Sequence, residues 1–240
     1  MKYAIIAAGE GSRLAHEGVE VPKPLVKVGG ECLIDRLIRI FQDNGATQIS
    51  VICNDLTNLV STHLQDIVDN GLHGRKVPLH YIVKTTPSSM HSFYELSDTL
   101  NDSPFVLTTV DTIFREDEFF RYIAAFHKVL ESGANGLMGV TDYIDDEKPL
   151  YVGTNRDMGI TGFFDDNEGC KYISGGIYGL TPSAINVLHG CMERGESRMR
   201  NFQRALVADG QQLKAYLFSK VLDIDHATDI VKAETFLQAQ

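Results

Sequence analysis

The sequence predicts a single α/β domain, a mainly parallel mixed sheet flanked by helices. Three observations carry this expectation. Short apolar β-rich runs alternate with helix-period segments along most of the chain. Glycines stand directly after two of the helical segments, at Gly45 and Gly71, as stop signals. No repeat, low-complexity tract or long linker divides the 240 residues, a length that suits one full core.

The elements follow in order. Lys2–Ala8 reads as a buried strand, Leu33–Asn44 as a helix and Ile49–Cys53 as a strand. Leu59–Asn70 is a helix, Val77–Val83 a strand, Ser92–Leu100 a helix and Phe105–Thr109 a strand. Glu116–Ser132 is a helix and Gly136–Val140 a strand. This β-α-β-α order implies parallel strands with helices on both faces. The remainder is less regular, with short strands at Leu150–Asn155, Ile160–Phe164 and Tyr172–Leu180. Helices at Pro182–Arg194 and Ser197–Asp209, a strand at Leu213–Phe218 and a helix at Thr228–Gln238 complete it. Residues 136–240 are expected to extend the same sheet rather than fold separately. Ligands of open sheets sit at the carboxyl ends of strands, so a site is expected in the loops after Ala8, Val83, Thr109, Val140 and Leu222.

Composition narrows the function. Net charge is −10, which argues against a general nucleic-acid binder held by phosphate contacts. No stretch approaches the roughly 20 apolar residues of a membrane span. The N-terminus opens on a strand-like run without a signal-peptide pattern. Cys32, Cys53, Cys170 and Cys191 form no CxxC pair and no zinc-spaced cluster, so reduced thiols in a cytoplasmic protein are expected.

The first loop carries the sharpest signal. In Ala7-Ala8-Gly9-Glu10-Gly11-Ser12-Arg13-Leu14, the glycines let backbone N–H groups approach an anion. Leu14 stands where a dinucleotide fingerprint needs its third glycine, and no Gly-Lys-Ser/Thr of a Walker loop follows. Alone, the two glycines read equally well as a tight turn. Pro22-Lys23-Pro24 then stiffens the backbone on both sides of one lysine. A rigidly held lysine beside an anion-binding loop is a candidate phosphate clamp.

These residues, with Leu25-Val26 and Gly29-Gly30, resemble the signature of the sugar-1-phosphate nucleotidyltransferases, or nucleotide-sugar pyrophosphorylases. The resemblance continues through Phe105-Val106-Leu107-Thr108-Thr109-Val110-Asp111, a strand ending in an aspartate. It extends through Ser174-Gly175-Gly176-Ile177-Tyr178 to Leu222-Asp223-Ile224-Asp225 and the helix beyond. It implies the Rossmann-like fold of nucleotide-diphospho-sugar transferases, with a nucleotide-binding half over about 1–135 and an acceptor-binding half over about 136–240. The departures are Ser12 for the usual threonine and Val110 for the glycine before the aspartate. In addition, Glu147-Lys148-Pro149 lies before Ile160–Phe164, whereas the family's sugar-phosphate motif lies after the matching segment. Asp165-Asp166 stands there instead.

What the resemblance implies is a reaction between two anions. A phosphate monoester, largely dianionic at neutral pH, attacks the α-phosphorus of a nucleoside triphosphate and pyrophosphate leaves. Such chemistry needs charge neutralisation and in-line positioning rather than a strong base. By the resemblance, Arg13 and Lys23 are catalytic: Arg13 holds the departing pyrophosphate and Lys23 the α-phosphate. Ala8, Gly9, Gly11 and Ser12 line the nucleotide, with Ser88 and Ser89 reading the base and His91 nearby. Asp111 and Asp223 hold Mg²⁺, with Asp225 as the fallback for Asp223. Gly139, Gly175 and Gly176 border the acceptor. In this loop Ser89 or Ser92 could equally cap the next helix.

The expected partners are a nucleoside triphosphate and a sugar phosphate, with room for a homo-oligomer, and neither nucleic acid nor membrane. Two other readings compete. One is a cytidylyltransferase acting on phosphocholine or another non-sugar phosphate, favoured by the displaced Glu-Lys-Pro. The other is a non-catalytic subunit that only binds nucleotide sugar; the presence of Arg13, Lys23, Asp111 and Asp223 argues against it.

Overall fold

Strand β1 (Lys2–Ala7) runs through the middle of the sheet, and its side chains divide between two cores. Tyr3, Ile5 and Ala7 enter one apolar cluster with Phe41, Phe119 and Tyr122, whereas Ala4 and Ile6 enter the other with Phe93, Phe105 and Phe202. This is the period-2 alternation of a strand covered on both faces, which explains why the run is apolar throughout. The computed structural model describes residues 1–145 and 147–239.

After β1 come the short helix α1 (Ser12–His16), strands β2 (Lys27–Val28) and β3 (Glu31–Cys32), helix α2 (Leu33–Asp43) and strand β4 (Gln48–Cys53). Helix α3 (Asn58–Asn70), strand β5 (Leu79–Val83), helix α4 (Ser89–Leu96), strands β6 (Phe105–Thr109) and β7 (Thr112–Ile113), helix α5 (Glu116–Glu131) and strand β8 (Gly136–Thr141) follow. The chain continues through β9 (Tyr151–Thr154), β10 (Ile160–Phe164), β11 (Tyr172–Leu180), α6 (Ser183–Glu193) and α7 (Met199–Ala208). Strands β12 (Leu213–Phe218) and β13 (Leu222–Asp223) and helix α8 (Ala227–Gln238) complete the described elements.

Strands β5, β4, β1 and β6 are mutually parallel. The chain builds outward from β1 through β4 to β5 and then returns to place β6 on the other side of β1. That reversal of strand order opens a crevice at the carboxyl ends of β1 and β6. Strand β11 joins the two halves by running antiparallel to both β6 and β8, and β12 lies parallel to β8. The sheet therefore crosses residue 135 unbroken, with nine strands among the described residues.

Several ends differ from the sequence reading for local reasons. Helix α4 starts three residues before Ser92 because the hydroxyl of Ser88 accepts from the backbone N–H of His91. The expected Ser89 or Ser92 cap is thereby corrected to Ser88. The same helix tightens into a 3₁₀ turn at Ser97–Thr99. Strand β5 begins at Leu79, after Pro78, which has no N–H to give to a ladder. The β2–β3 hairpin turns on Gly29 and Gly30, both at positive φ.

Candidate active site

A cavity of about 590 Å³ opens at the carboxyl ends of β1 and β6. Its lining includes Ala8, Gly9, Gly11, Ser12, Arg13, Lys23, Ser88, Ser89, Asp111, Asp223 and Asp225. Every residue expected at the nucleotide or metal thus lies on one cavity, although they come from five separate stretches of chain.

The glycine loop makes its turn at Gly11, which sits at φ 65° and precedes α1. A Cβ at Gly11 would lie 3.2 Å from Cβ of Lys23, so the loop and the lysine pack directly together. Gly9 has open space where a Cβ would go. Lys23 begins a 3₁₀ turn flanked by Pro22 and Pro24, closed by the Leu25 N–H donating to the Pro22 carbonyl at 2.8 Å. The prolines fix this turn before any ligand arrives.

Lys23 bridges two carboxylates. Its Nζ lies 2.5 Å from Asp111 Oδ2 and 2.8 Å from Asp225 Oδ1. The other oxygen of Asp225 receives Arg13 at 2.9 Å. Burial works against the charge of Lys23, but Asp111 and Asp225 outweigh it and hold the ammonium above its ordinary pKa. Burial likewise disfavours the charge of Asp225, yet Lys23 and Arg13 keep this carboxyl below its ordinary value. Lys23 and Asp225 are therefore charged together at neutral pH.

Asp111 sits in the turn between β6 and β7, where Val110 extends the ladder by donating to the Ile6 carbonyl at 2.9 Å. Val110 is buried, so the residue that replaces glycine here serves as core. Strand β13 pairs antiparallel with β7, setting Asp223 opposite Thr112, the neighbour of Asp111. The Ile224 N–H donates to the Asp111 carbonyl at 3.2 Å. Beneath them lies the buried Tyr178 phenol, whose pKa is pushed up by burial and then by the charges of Asp223 and Asp111. Asp111 and Asp223 thus line the cavity from neighbouring segments, while Asp225, two residues beyond Asp223, pairs with Lys23 and Arg13.

The opposite wall comes from the loop before α4: Thr86, Pro87, Ser88, Ser89 and Ser92. Ser88 is heavily used, since its Oγ pairs with His91 Nδ1 at 2.8 Å and accepts from the Arg198 N–H at 3.4 Å. His91 thus touches the cavity through Ser88. Ser89, at the first turn of α4, lines the cavity without the capping duty.

Residues 2–240 match the family model described as nucleotidyl transferase. The chain belongs to that family. Among curated proteins it is similar to the mannose-1-phosphate guanyltransferase of Emericella nidulans, at 27% identity over 88% of this chain and 57% of that protein. It therefore spans a little over half the length of that relative. Among solved structures it is similar to a UDP-glucose pyrophosphorylase complexed with UDP-glucose, with TM-score 0.80, 14% identity and coverage of 98% and 97% of the two chains. It is also similar to the CTP:phosphocholine cytidylyltransferase of Streptococcus pneumoniae, with TM-score 0.74, 17% identity and 99% of each chain covered. At such identities the last two likenesses concern the fold, which they share from end to end.

In this nucleotidyl transferase a second cavity, about 460 Å³, shares Arg13, Asp223 and Asp225 with the first. Its other walls include Thr141, Tyr143, Asp145, Lys148, Ser174, Gly175, Arg200, Asp229 and Lys232. Of the three glycines expected at an acceptor, Gly175 lines this cavity. It lies at a bulge where β11 shifts register against β8 between Ser174 and Ile177, and Gly176 takes φ 69° there. Gly139 is not on the lining and is tightly packed: a Cβ there would lie 2.9 Å from Cβ of Ile177 and 3.1 Å from the Phe218 ring. The absence of a side chain at Gly139 lets β11 and β12 flank β8.

Sequence reasoning missed most of the second cavity. Tyr143, Asp145, Arg200 and Lys232 stand in segments that read only as loop or helix, and no spacing rule sets them apart. Only the topology, which brings the start of α7 and α8 to one rim, does so.

Proposed function

We propose that the protein is a magnesium-dependent nucleotidyltransferase that joins a nucleoside triphosphate to a sugar 1-phosphate and releases pyrophosphate. The observation that carries this reading is the Lys23 bridge: a proline-fixed cation between Asp111 and Asp225, with Arg13 on the far oxygen, at the rim shared by two cavities. One cavity suits the triphosphate and the other the phosphate acceptor. An acceptor oxygen attacks the α-phosphorus, the bond to the bridging oxygen of the β-phosphate breaks, and pyrophosphate departs. Lys23 offsets the charge that gathers on the α-phosphate, and Arg13 that on the leaving group. Backbone N–H groups of the Gly9–Gly11 loop can approach the same oxygens, since no Cβ intervenes.

The donor set fits Mg²⁺. Asp111 and Asp223 offer two hard oxygen ligands on one cavity, and the described residues hold no cluster of three or more His, Cys, Asp or Glu in metal-binding array. Two carboxylates with the balance left to substrate oxygens and water is the pattern this ion favours. Bound there, it would neutralise phosphate oxygens. The four thiols are free, and burial pushes Cys53 and Cys191 up to about 11, which keeps them protonated and unreactive. No helix of the described residues is long and apolar enough to cross a membrane.

A second reading has its own observation. Asp165 follows β10 where the family resemblance expects Glu-Lys-Pro, and the second cavity is lined by Tyr143, Asp145 and Asp229. A non-sugar acceptor with a cationic group, such as phosphocholine, suits that chemistry. The test is pyrophosphate release with each of five triphosphates and a panel of sugar 1-phosphates and phosphocholine, with Mg²⁺. Release with a sugar 1-phosphate supports the first reading and release with phosphocholine alone the second. No release with any pairing overturns both.

A further inference from the structure

Asn54 directly follows β4 and stands behind the glycine loop, outside the lining of the first cavity. Its Nδ2 donates to the Gly9 carbonyl at 3.0 Å and to the Ala8 carbonyl at 3.3 Å. Its Oδ1 accepts from the Leu56 N–H at 3.2 Å. These partners fix which end of the amide is which, because a carbonyl only accepts and an N–H only donates. The same segment grips the opposite wall. The Asp55 N–H donates to Thr85 Oγ1 at 3.3 Å, and the Thr85 hydroxyl donates in turn to the Asp55 carboxylate. Thr85 directly precedes Thr86, which lines the cavity and meets the buried Ser92 hydroxyl at 2.6 Å. Asn54 and Asp55 thus brace the glycine loop and the loop before α4 from behind.

The two carbonyls matter for what lies across each peptide plane. In a planar trans peptide the C=O and the next residue's N–H point in opposite directions. Holding the Ala8 and Gly9 carbonyls towards Asn54 therefore turns the N–H groups of Gly9 and Glu10 away from it. Gly9 and Glu10 line the cavity and Asn54 does not, so these N–H groups face the cavity side. Neither has a backbone partner among the described residues. With glycine at position 9 the backbone on either side is free to rotate, so these peptides keep their direction only if something holds them. A carbonyl turned into the cavity instead would repel the phosphate oxygens that an N–H attracts.

We propose that Asn54 is the positioning residue that aims the Gly9 and Glu10 N–H groups at a bound triphosphate. It acts through those two peptides and touches no substrate itself. The proposal rests on the nucleotidyltransferase reading for the name of its ligand. Asn54 also makes a local turn through Leu56, and that structural duty needs only its oxygen. The aiming duty needs its nitrogen, so one substitution separates the two.

The experiment is calorimetric titration of the full chain with each of five nucleoside triphosphates, in Mg²⁺ and without acceptor, for wild type, Asn54→Asp and Asn54→Ala. Thermal melts and pyrophosphate-release kinetics accompany it. Asn54→Asp keeps the oxygen that meets the Leu56 N–H and has no donor for the carbonyls. It should melt within about 3 °C of wild type and bind the best triphosphate about tenfold more weakly, the scale of one lost hydrogen bond to a charged group. Asn54→Ala should melt lower and show the same binding deficit. Because alanine adds no charge, matching deficits exclude simple repulsion by the new carboxylate. In turnover, the KM for triphosphate should rise by a similar factor while the KM for the acceptor stays within about threefold. Triphosphate binding equal to wild type in either variant, or no triphosphate binding by wild type, overturns the proposal. Weakened binding in both variants, with no pyrophosphate release by wild type on any acceptor, upholds the role of Asn54 and removes the transferase reading instead.

Discussion

Lys23 Nζ lies 2.8 Å from Asp225 Oδ1, which joins the cation beside the glycine loop to a carboxylate 202 positions away. Asp225, expected only as a substitute metal ligand, is thus paired with both Lys23 and Arg13. Asp111 meets the same Nζ at 2.5 Å, and the proposed metal role falls to it and Asp223.

That division of labour separates two variants. Asp111→Asn and Asp223→Asn should each lower turnover by at least about 10²-fold and raise the Mg²⁺ concentration needed for half-maximal rate. Asp225→Asn should leave the Mg²⁺ requirement nearly unchanged and tighten triphosphate binding, because Lys23 and Arg13 lose their competing carboxylate. A Mg²⁺ titration of the initial rate for each variant decides it; a shifted requirement in Asp225→Asn alone would pass the metal role to that residue.

Lys23→Ala should lower turnover by at least about 10²-fold at saturating substrate. It should also lower the melting temperature at neutral pH, since Asp111 and Asp225 are left without the cation they share. Kinetics and thermal melts on the same preparation test both halves. Near wild-type turnover would remove Lys23 from the chemistry.

Gly11→Ala should act through Lys23. An alanine must adopt φ 65°, a strain of about 1–2 kcal/mol, and its Cβ meets Lys23 Cβ at 3.2 Å. Gly9→Ala meets nothing within 4 Å and should fold as wild type. The expected result is lowered stability and turnover in the first, and loss confined to nucleotide affinity in the second. Equal melting curves for both would show that the loop gives way freely.

Ser88→Ala should destabilise by about 1 kcal/mol, the worth of a helix cap, whereas Ser89→Ala should leave the melt unchanged and alter the preference among bases. Chemical denaturation and a triphosphate panel distinguish the two serines.

A pH-dependent contribution is expected at His63, whose Nε2 lies 2.6 Å from Asp35 across α3 and α2. The bond to Asp35 raises the imidazole pKa above 6.5, against the opposing effect of burial. A raised folded value means the stabilisation is complete below the unfolded value and is lost as pH climbs through the folded one. Asp35→Asn should therefore cost about 1 kcal/mol at pH 5.5 and much less at pH 9. Melting curves of both proteins across that range check the sign.

What the sequence determined by itself was local. The apolar run Tyr3–Ala7, the helix stop at Gly71 and the stiff turn around Lys23 each follow from residues a few positions apart, where steric limits on φ and ψ and solvent exposure act directly. For the same reason the glycine loop and Asp111 were legible as strand-end features. The tertiary structure decided everything that depends on strand order: that Asp225 rather than solvent meets Lys23, that Gly139 is packed against Ile177, and that Arg200 faces the cavity behind Arg13. Those relations arise because β6 returns beside β1 and β13 lies against β7, bringing remote segments to one rim. Side-chain propensities carry no record of such distances, since the pairing is set by how both faces of the sheet bury their apolar surface together.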